Sequence, residues 1–189
     1  MSRPVFIKGK RVDLVCLTKA DAALVHRWQC DMDLIYQWGS QPFPPDLKDI
    51  EERLESQYNQ KSSLILGLQL RRGGQLIGIG GLSHVEWPWQ RAEMTLAIGE
   101  NRYRGKGYGR EATLLILDHA FTKLNLHSVM LRVISYNEPA IKCYASCGFR
   151  HAGRRREARL DGGKLYDVLF MDILSREFIK EKSTTRRRT

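Results

Sequence analysis

The six residues Arg104-Gly105-Lys106-Gly107-Tyr108-Gly109 stand between an apolar run, Arg91 to Ile98, and a stretch rich in Ala, Leu and Ile, Tyr108 to Lys123. The first run reads as a strand and the second has the length of a helix. A glycine-rich loop at such a junction leaves several backbone N–H groups aimed at one point, where the helix adds its positive dipole end. Glycines let an anion approach the main chain with no Cβ in the way. Arg102, Arg104, Lys106 and Arg110 add charge. The loop lacks both the Gly-Lys-Ser/Thr ending of a P-loop and the G-x-G-x-x-G of a dinucleotide fold. Taken alone, it fits a phosphate cradle and an ordinary glycine turn with solvated cations equally well.

Upstream of the loop, Arg11 to Leu17 alternates as a first strand, and Thr18-Lys19-Ala20-Asp21 opens a helix through about Gln29. Asp46 caps a second helix with Leu47, Ile50 and Leu54 on one face. Ser63 to Leu70 and Leu76 to Val85 form a hairpin across Arg71-Arg72-Gly73-Gly74-Gln75, and Gly78, Gly80 and Gly81 make its second arm a weak or bulged strand. Trp87-Pro88-Trp89 turns the chain into the fourth strand, Arg91 to Ile98. Downstream, Ser128 to Ile134 is a fifth, buried strand and Pro139 opens a short helix to Cys147. Arg150 begins another strand, which Asp161-Gly162-Gly163 turns into the last, Lys164 to Leu174. This order predicts an α/β (α+β) fold with a mixed sheet of about seven strands flanked by helices.

A length of 189 residues with 42% hydrophobic content supports one domain with a proper core. Residues 1–178 are expected to form it, with 179–189 a basic, flexible tail. The net charge of +10 suits an anionic partner, whether nucleic acid, membrane or a polyphosphate cofactor. Arg154-Arg155-Arg156 and Arg186-Arg187-Arg188 hold six of those charges, so composition does not choose among the three. No metal site is expected, because Cys16, Cys30, Cys143 and Cys147 form no CxxC pair and no His/Cys cluster has zinc-like spacing. Reduced thiols, no apolar leader and no membrane-length run point to a soluble, cytoplasmic protein.

Some thirty residues after the loop come Asn137-Glu138-Pro139-Ala140-Ile141-Lys142-Cys143-Tyr144 and then Cys147-Gly148-Phe149. Together with Arg104 to Gly109, these resemble the two signatures of the GNAT superfamily of N-acetyltransferases, R/Q-x-x-G-x-G/A and N-x-x-A-x-x-x-Y followed by x-x-G-F. The resemblance spans about Arg11 to Phe178. Arg91-Ala92-Glu93, Leu124-Asn125-Leu126 and the Asp161-Gly162-Gly163 hairpin make the chain similar to the subgroup of ribosomal-protein N-terminal and spermidine acetyltransferases. It implies a mostly antiparallel sheet whose fourth and fifth strands splay apart, and acetyl transfer from acetyl-coenzyme A to a primary amine. Arg104, Gly105, Lys106, Gly107, Tyr108, Gly109 and Arg110 would hold the coenzyme A diphosphate. Leu96, Ala97 and Ile98 would bond the pantetheine arm as a substitute strand. Asn137 would hydrogen-bond it from the other side, with Ala140 and Cys143 packed near it.

The reaction itself dictates two further groups. An amine with a pKa near ~10.4 is about 99.9% protonated at neutral pH, so a base must take its proton before it attacks the thioester. Glu93 lies on the strand that reaches the thioester, and the resemblance puts a glutamate there. An exposed strand glutamate paired with an arginine is the plainer alternative, with the proton leaving through water; His84 and Glu86 are further candidates. A backbone N–H near Leu96 or Ala97 suits the oxyanion. The leaving thiolate needs an acid, and Tyr144 occupies the family's tyrosine position, where a core aromatic is the alternative. Cys143, with no adjacent His, reads as a packing residue, so direct attack is expected over an acetyl-cysteine.

The acceptor is harder to read. Trp87 and Trp89 suit an acceptor wall, a dimer seam or a covered apolar edge, while Trp28, Tyr36 and Trp38 read as core. A spermidine site needs carboxylates, and Trp38-Gly39-Ser40-Gln41-Pro42-Phe43 carries none. A peptide N-terminus, an amino sugar or another small amine stays open, as do a homo-oligomer and, on net charge alone, contact with RNA or the ribosome. Two rival classes remain: a non-catalytic module of the same fold that senses acyl-coenzyme A or binds a partner, and a nucleic-acid-binding domain resting on the arginine runs.

Overall fold

The alternating runs assemble into one eight-stranded sheet in a computed structural model that describes residues 3–38, 43–59 and 61–178. Its strands are β1 (Val5–Ile7), β2 (Val12–Val15), β3 (Leu64–Leu70), β4 (Leu76–Glu86), β5 (Arg91–Ile98), β6 (Ser128–Ile134), β7 (Arg150–Asp161) and β8 (Lys164–Leu174). They lie in the order β1-β2-β3-β4-β5-β6-β8-β7, antiparallel throughout except for β5 and β6. The anticipated seven strands are all present. The eighth, β1, is three residues long, half exposed and irregular in register, too short to leave a periodic trace. Bulges interrupt β4 between Leu68 and Gln69 of its partner and again between Ser83 and Glu86, as its glycines predicted in kind.

The helices that flank the sheet among the described residues include α1 (Ala22–Gln29), α2 (Met32–Trp38), α3 (Leu47–Ser56), α4 (Tyr108–Thr122) and α5 (Glu138–Ala145). The Thr18–Asp21 signal opens first a short 3-10 turn and then α1; the Asp21 carboxylate accepts from the Thr18 N–H at 2.9 Å and pairs with Arg3 at 2.6 Å. Asp46 caps α3 by accepting from the Lys48 N–H at 2.8 Å, a contact worth about 1 kcal/mol. The predicted loop Trp38–Phe43 falls largely on residues 39–42, outside the described residues. The tail 179–189 lies outside them too.

Strand alternation sorts the core into two clusters on opposite faces. Even residues of β2 (Val12, Leu14) join α4 and the odd residues Val129, Leu131 and Val133 of β6 in one cluster. Val15, on the other face of β2, joins Val25 and Trp28 of α1 and Ile50 and Leu54 of α3 in the second. Trp28 is thus a core residue, as expected, 3% exposed.

The feature that positions the site is the join between β5 and β6. They pair only from Arg91↔Ser128 to Glu93↔Met130, while β6 goes on pairing with β8 as far as Ile134↔Val168. Beyond Glu93 the two strands part, which is the splay the resemblance implied. The β5 edge from Met94 to Ile98 therefore faces an opening that runs through the sheet.

Candidate active site

The opening is the mouth of a cleft of about 1310 Å³, bounded by β5, β6, the glycine loop, α5, β7 and β8, and on the far side by α1 and α3. The loop forms one end. Gly105 and Gly107 adopt positive φ (69° and 80°), and Gly107 is the residue before the first turn of α4. A side chain at Gly107 would be strained by that φ and its Cβ would crowd Arg11 Nη2 at 3.1 Å. The amides that open α4 have no carbonyl of their own helix to bond, so they and the helix dipole face the cleft mouth.

The loop is braced from behind. Arg11 Nη1 donates to the Lys106 carbonyl at 3.0 Å, and its guanidinium lies 4.9 Å from the Tyr108 ring centre. Glu111 in turn accepts from the backbone N–H groups of Lys10, Arg11 and Val12 at 2.8, 2.7 and 3.2 Å. Arg104 Nε donates to the Ile98 carbonyl at 3.0 Å, tying the loop to the end of β5. Arg110 reaches across to α5 and donates to Ser146 Oγ at 3.2 Å.

Leu96, Ala97, Ile98, Arg104, Gly105, Gly107, Tyr108, Gly109 and Arg110 all line the cleft, as do Asn137, Ala140 and Cys143 on its other side. Lys106 is the exception. Its carbonyl accepts from Arg11 and its ammonium sits 5.9 Å from the ring centre of Tyr103, a residue that does line the cleft. Asn137 caps α5, its Oδ1 accepting from the Ala140 N–H at 3.3 Å. Cys143 lies in hydrogen-bond contact with Cys147; that contact and the Arg110 guanidinium hold its thiol below the usual range, against the effect of burial. All four cysteines are free thiols.

Alternation on β5 places Ala92 and Met94 in the α4 core, so Glu93 points to the α1–α3 side. There its Oε1 accepts from Arg132 Nε at 2.7 Å, and Oε2 stands 3.7 Å from His84 Nδ1. His84 occupies the β4 bulge with φ 48°, a conformation rare outside glycine and one that directs its ring to Glu93. Glu86 pairs instead with Arg91 at 2.7 Å, outside the cleft lining. Tyr144, on α5, is 8% exposed, packs edge-on to Phe149 at 5.9 Å and lines the cleft. Burial pushes its phenol well above the ordinary range, and the Cys143 and Cys147 thiols add to the shift.

Sequence reasoning did not single out Arg132, Arg53, Gln57 or Arg159, and it met Arg155 only within an arginine run; all five line the cleft. Arg132 left a faint signal: a lone cation at an even position on a strand whose odd residues are apolar. Trp87 and Trp89 are 45% and 68% exposed at the turn before β5 and take no part in the cleft lining. Among the described residues no group of three or more His, Cys, Asp or Glu side chains is placed to hold a metal ion, and no helix is long and apolar enough to cross a membrane.

Known proteins resemble the chain along most of its length. It is 30% identical over 160 residues to the N-alpha-acetyltransferase RimI of Mycobacterium tuberculosis, covering 83% of this chain and 90% of the relative. It is 25% identical over 171 residues to the spermidine N(1)-acetyltransferase of Vibrio cholerae, covering 90% and 97%. The crystal structure of the spermidine N-acetyltransferase from Vibrio cholerae in complex with CoA and spermine superposes with a TM-score of 0.82 at 25% identity, over 89% of this chain and 98% of that one. Residues 11–150 match the acetyltransferase (GNAT) domain, and the chain belongs to that family of acetyl-transferring enzymes.

Proposed function

We propose that the chain transfers an acetyl group from acetyl-coenzyme A directly to a primary amine, with the thioester lodged where β5 and β6 part. The observation that carries this reading is the end of β5–β6 pairing at Glu93↔Met130, with the amide-rich start of α4 beside it. The fit is supported by Gly109: a Cβ there would come within 3.5 Å of Leu96 and 3.9 Å of Cys143, narrowing the passage between β5 and α5. Bound acetyl-coenzyme A supplies the activated acetyl carbon and a thiolate leaving group.

The chain's own residues bind, orient and move protons. The amides of Gly105 to Arg110 receive the diphosphate, and the Met94–Ile98 edge holds the pantetheine arm as a neighbouring strand would. Arg104 serves by fixing this edge to the loop, since its Nε is bonded to Ile98. Glu93 takes the amine proton from the α1–α3 side of the sheet, oriented by Arg132 and His84. Tyr144 keeps its proton, because burial disfavours the phenolate, and gives it to the departing thiolate from the α5 side.

In this reading residues 1–178 are one transferase domain and 179–189 a basic tail, and the enzyme works in the cytoplasm with its thiols reduced. One relative is an N-alpha-acetyltransferase and the other a spermidine N(1)-acetyltransferase; a primary amine is the chemistry they share. Exposed Trp87 and Trp89 suit a contact between copies of the chain in a homo-oligomer. Free-thiol release from acetyl-coenzyme A, followed against a panel of amines, tests the reading: amine-dependent release is expected. Tight coenzyme A binding without release from any acceptor favours a non-catalytic acyl-coenzyme A sensor instead.

A further inference from the structure

The acceptor side of the cleft carries charge of one sign. On the face opposite α4, the cleft is lined by Arg53 of α3, Arg132 of β6 and Arg155 and Arg159 of β7, and Glu93 is the one carboxylate among the described lining residues. That carboxylate is already matched by Arg132 at 2.7 Å. Register fixes where the β7 arginines point. Leu169, Met171 and Ile173 of β8 pack toward α4, so the alternate residues Val168 and Phe170 face the acceptor side. Arg155 stands opposite Val168, and Arg159 opposite Tyr166 on the same face. Asp161, close by on β7, is engaged with the Tyr136 hydroxyl, which also meets Arg159.

A second observation points the same way. Gln57, at the end of α3, is 7% exposed and lines the cleft, yet its Nε2 meets no hydrogen-bond acceptor among the described residues. A buried amide donor left unmade is costly, and a ligand oxygen would satisfy it. Arg53, one turn earlier on α3, donates to Gln29 Oε1 at 3.2 Å and feels the Asp49 carboxylate of its own helix; its planar fork has further donors to offer an acceptor. A polyamine brought into this bay meets four arginines and a single carboxylate that is already paired. A carboxylate or phosphate meets guanidinium forks that match its geometry.

Resting on the acetyl-transfer reading above, we propose that the acceptor is a primary amine that also carries a carboxylate or phosphate, with the amine at Glu93 and the anionic group received by the arginine wall. The test is kcat/KM for the full chain with γ-aminobutyrate and O-phosphoethanolamine as anionic probes. n-Butylamine and ethanolamine serve as neutral counterparts and spermidine as the polycation. The expected ranking puts an anionic probe at least about 10-fold above its neutral counterpart and above spermidine; which of the two probes leads tells carboxylate from phosphate. Arg155→Glu and, separately, Arg53→Glu are expected to reduce that advantage at least about 10-fold, with coenzyme A affinity by calorimetry unchanged. The ranking on the parent chain decides the matter should either variant fold poorly. Turnover that is fastest with spermidine or with the neutral amines overturns the proposal and leaves acetyl transfer standing. No thiol release with any probe overturns both.

Discussion

The carboxylate of Glu111 closes on Arg11 twice, with Oε2 accepting from its Nε at 2.9 Å and Oε1 from its backbone N–H at 2.7 Å. Residues a hundred positions apart thereby fasten the start of β2 to the first turn of α4, and Arg11 passes that restraint to the Lys106 carbonyl. Burial alone would raise the Glu111 pKa, but the hydrogen bonds from Arg11, Val12 and Lys10 outweigh it and hold the carboxyl below its ordinary range. Glu111→Ala is expected to destabilise the fold by about 2–3 kcal/mol, since it removes charged hydrogen bonds and strands their donors. The sign with pH follows. A carboxyl held low in the folded state stabilises above its unfolded pKa of about 4.3, and that contribution is lost as pH falls through the lower folded value. In urea titrations the gap between parent and variant should be full at pH 7 and shrink below about pH 4.

Gly107 is the position where the loop tolerates substitution least. An L-residue at φ 80° costs about 1–2 kcal/mol, and its Cβ displaces the Arg11 guanidinium that braces the loop. Gly107→Val should raise the coenzyme A Kd at least about 10-fold, measured by calorimetry. An unchanged Kd would separate the loop from cofactor binding.

Tyr144→Phe should lower kcat at least about 10-fold with coenzyme A affinity unchanged. Its pH profile is the sharper readout. Burial raises the phenol pKa above the ordinary value of about 10, so the acid form persists into alkaline solution and kcat should not fall through its ionisation below about pH 10. A basic limb near pH 9 that vanishes in the variant would contradict the raised phenol pKa while supporting Tyr144 as the acid; an unchanged kcat in the variant would contradict the assignment.

Glu93→Gln should reduce kcat at least about 10-fold while leaving the coenzyme A Kd alone, because the carboxylate faces the acceptor side. Arg132→Ala frees the same carboxylate from its 2.7 Å partner and should lower kcat by a smaller factor. If both variants keep the parent kcat, the amine loses its proton by another route.

Much of this arrangement was legible because it is local. The glycine loop announces a positive-φ turn before a helix, and Asn137 with Pro139 announces the cap and first turn of α5 within a few residues. Even the splay was anticipated, though only through resemblance; periodicity says nothing of where a parallel pair stops. What stayed hidden depends on distant partners. Nothing local announces that the Lys106 carbonyl is held by Arg11, ninety-five residues earlier in the chain. Glu111 reads as an ordinary helix acid until β2 is brought beside it. The arginine wall arises because β7 folds back on β8 and sets Arg155 and Arg159 opposite Val168 and Tyr166, residues that share one face of β8. Three residues of edge strand, Val5–Ile7, are too few for any pattern to emerge.

The central claim is that coenzyme A lies along the freed β5 edge with its diphosphate on the amides that open α4. A crystal structure with acetyl-coenzyme A bound tests it most directly. The account predicts diphosphate oxygens within hydrogen-bond distance of backbone N–H groups between Gly105 and Arg110, the pantetheine amides paired to β5 beyond Glu93, and the thioester between Glu93 and Tyr144. A cofactor bound elsewhere, with the gap between β5 and β6 closed by the protein's own side chains, would contradict it.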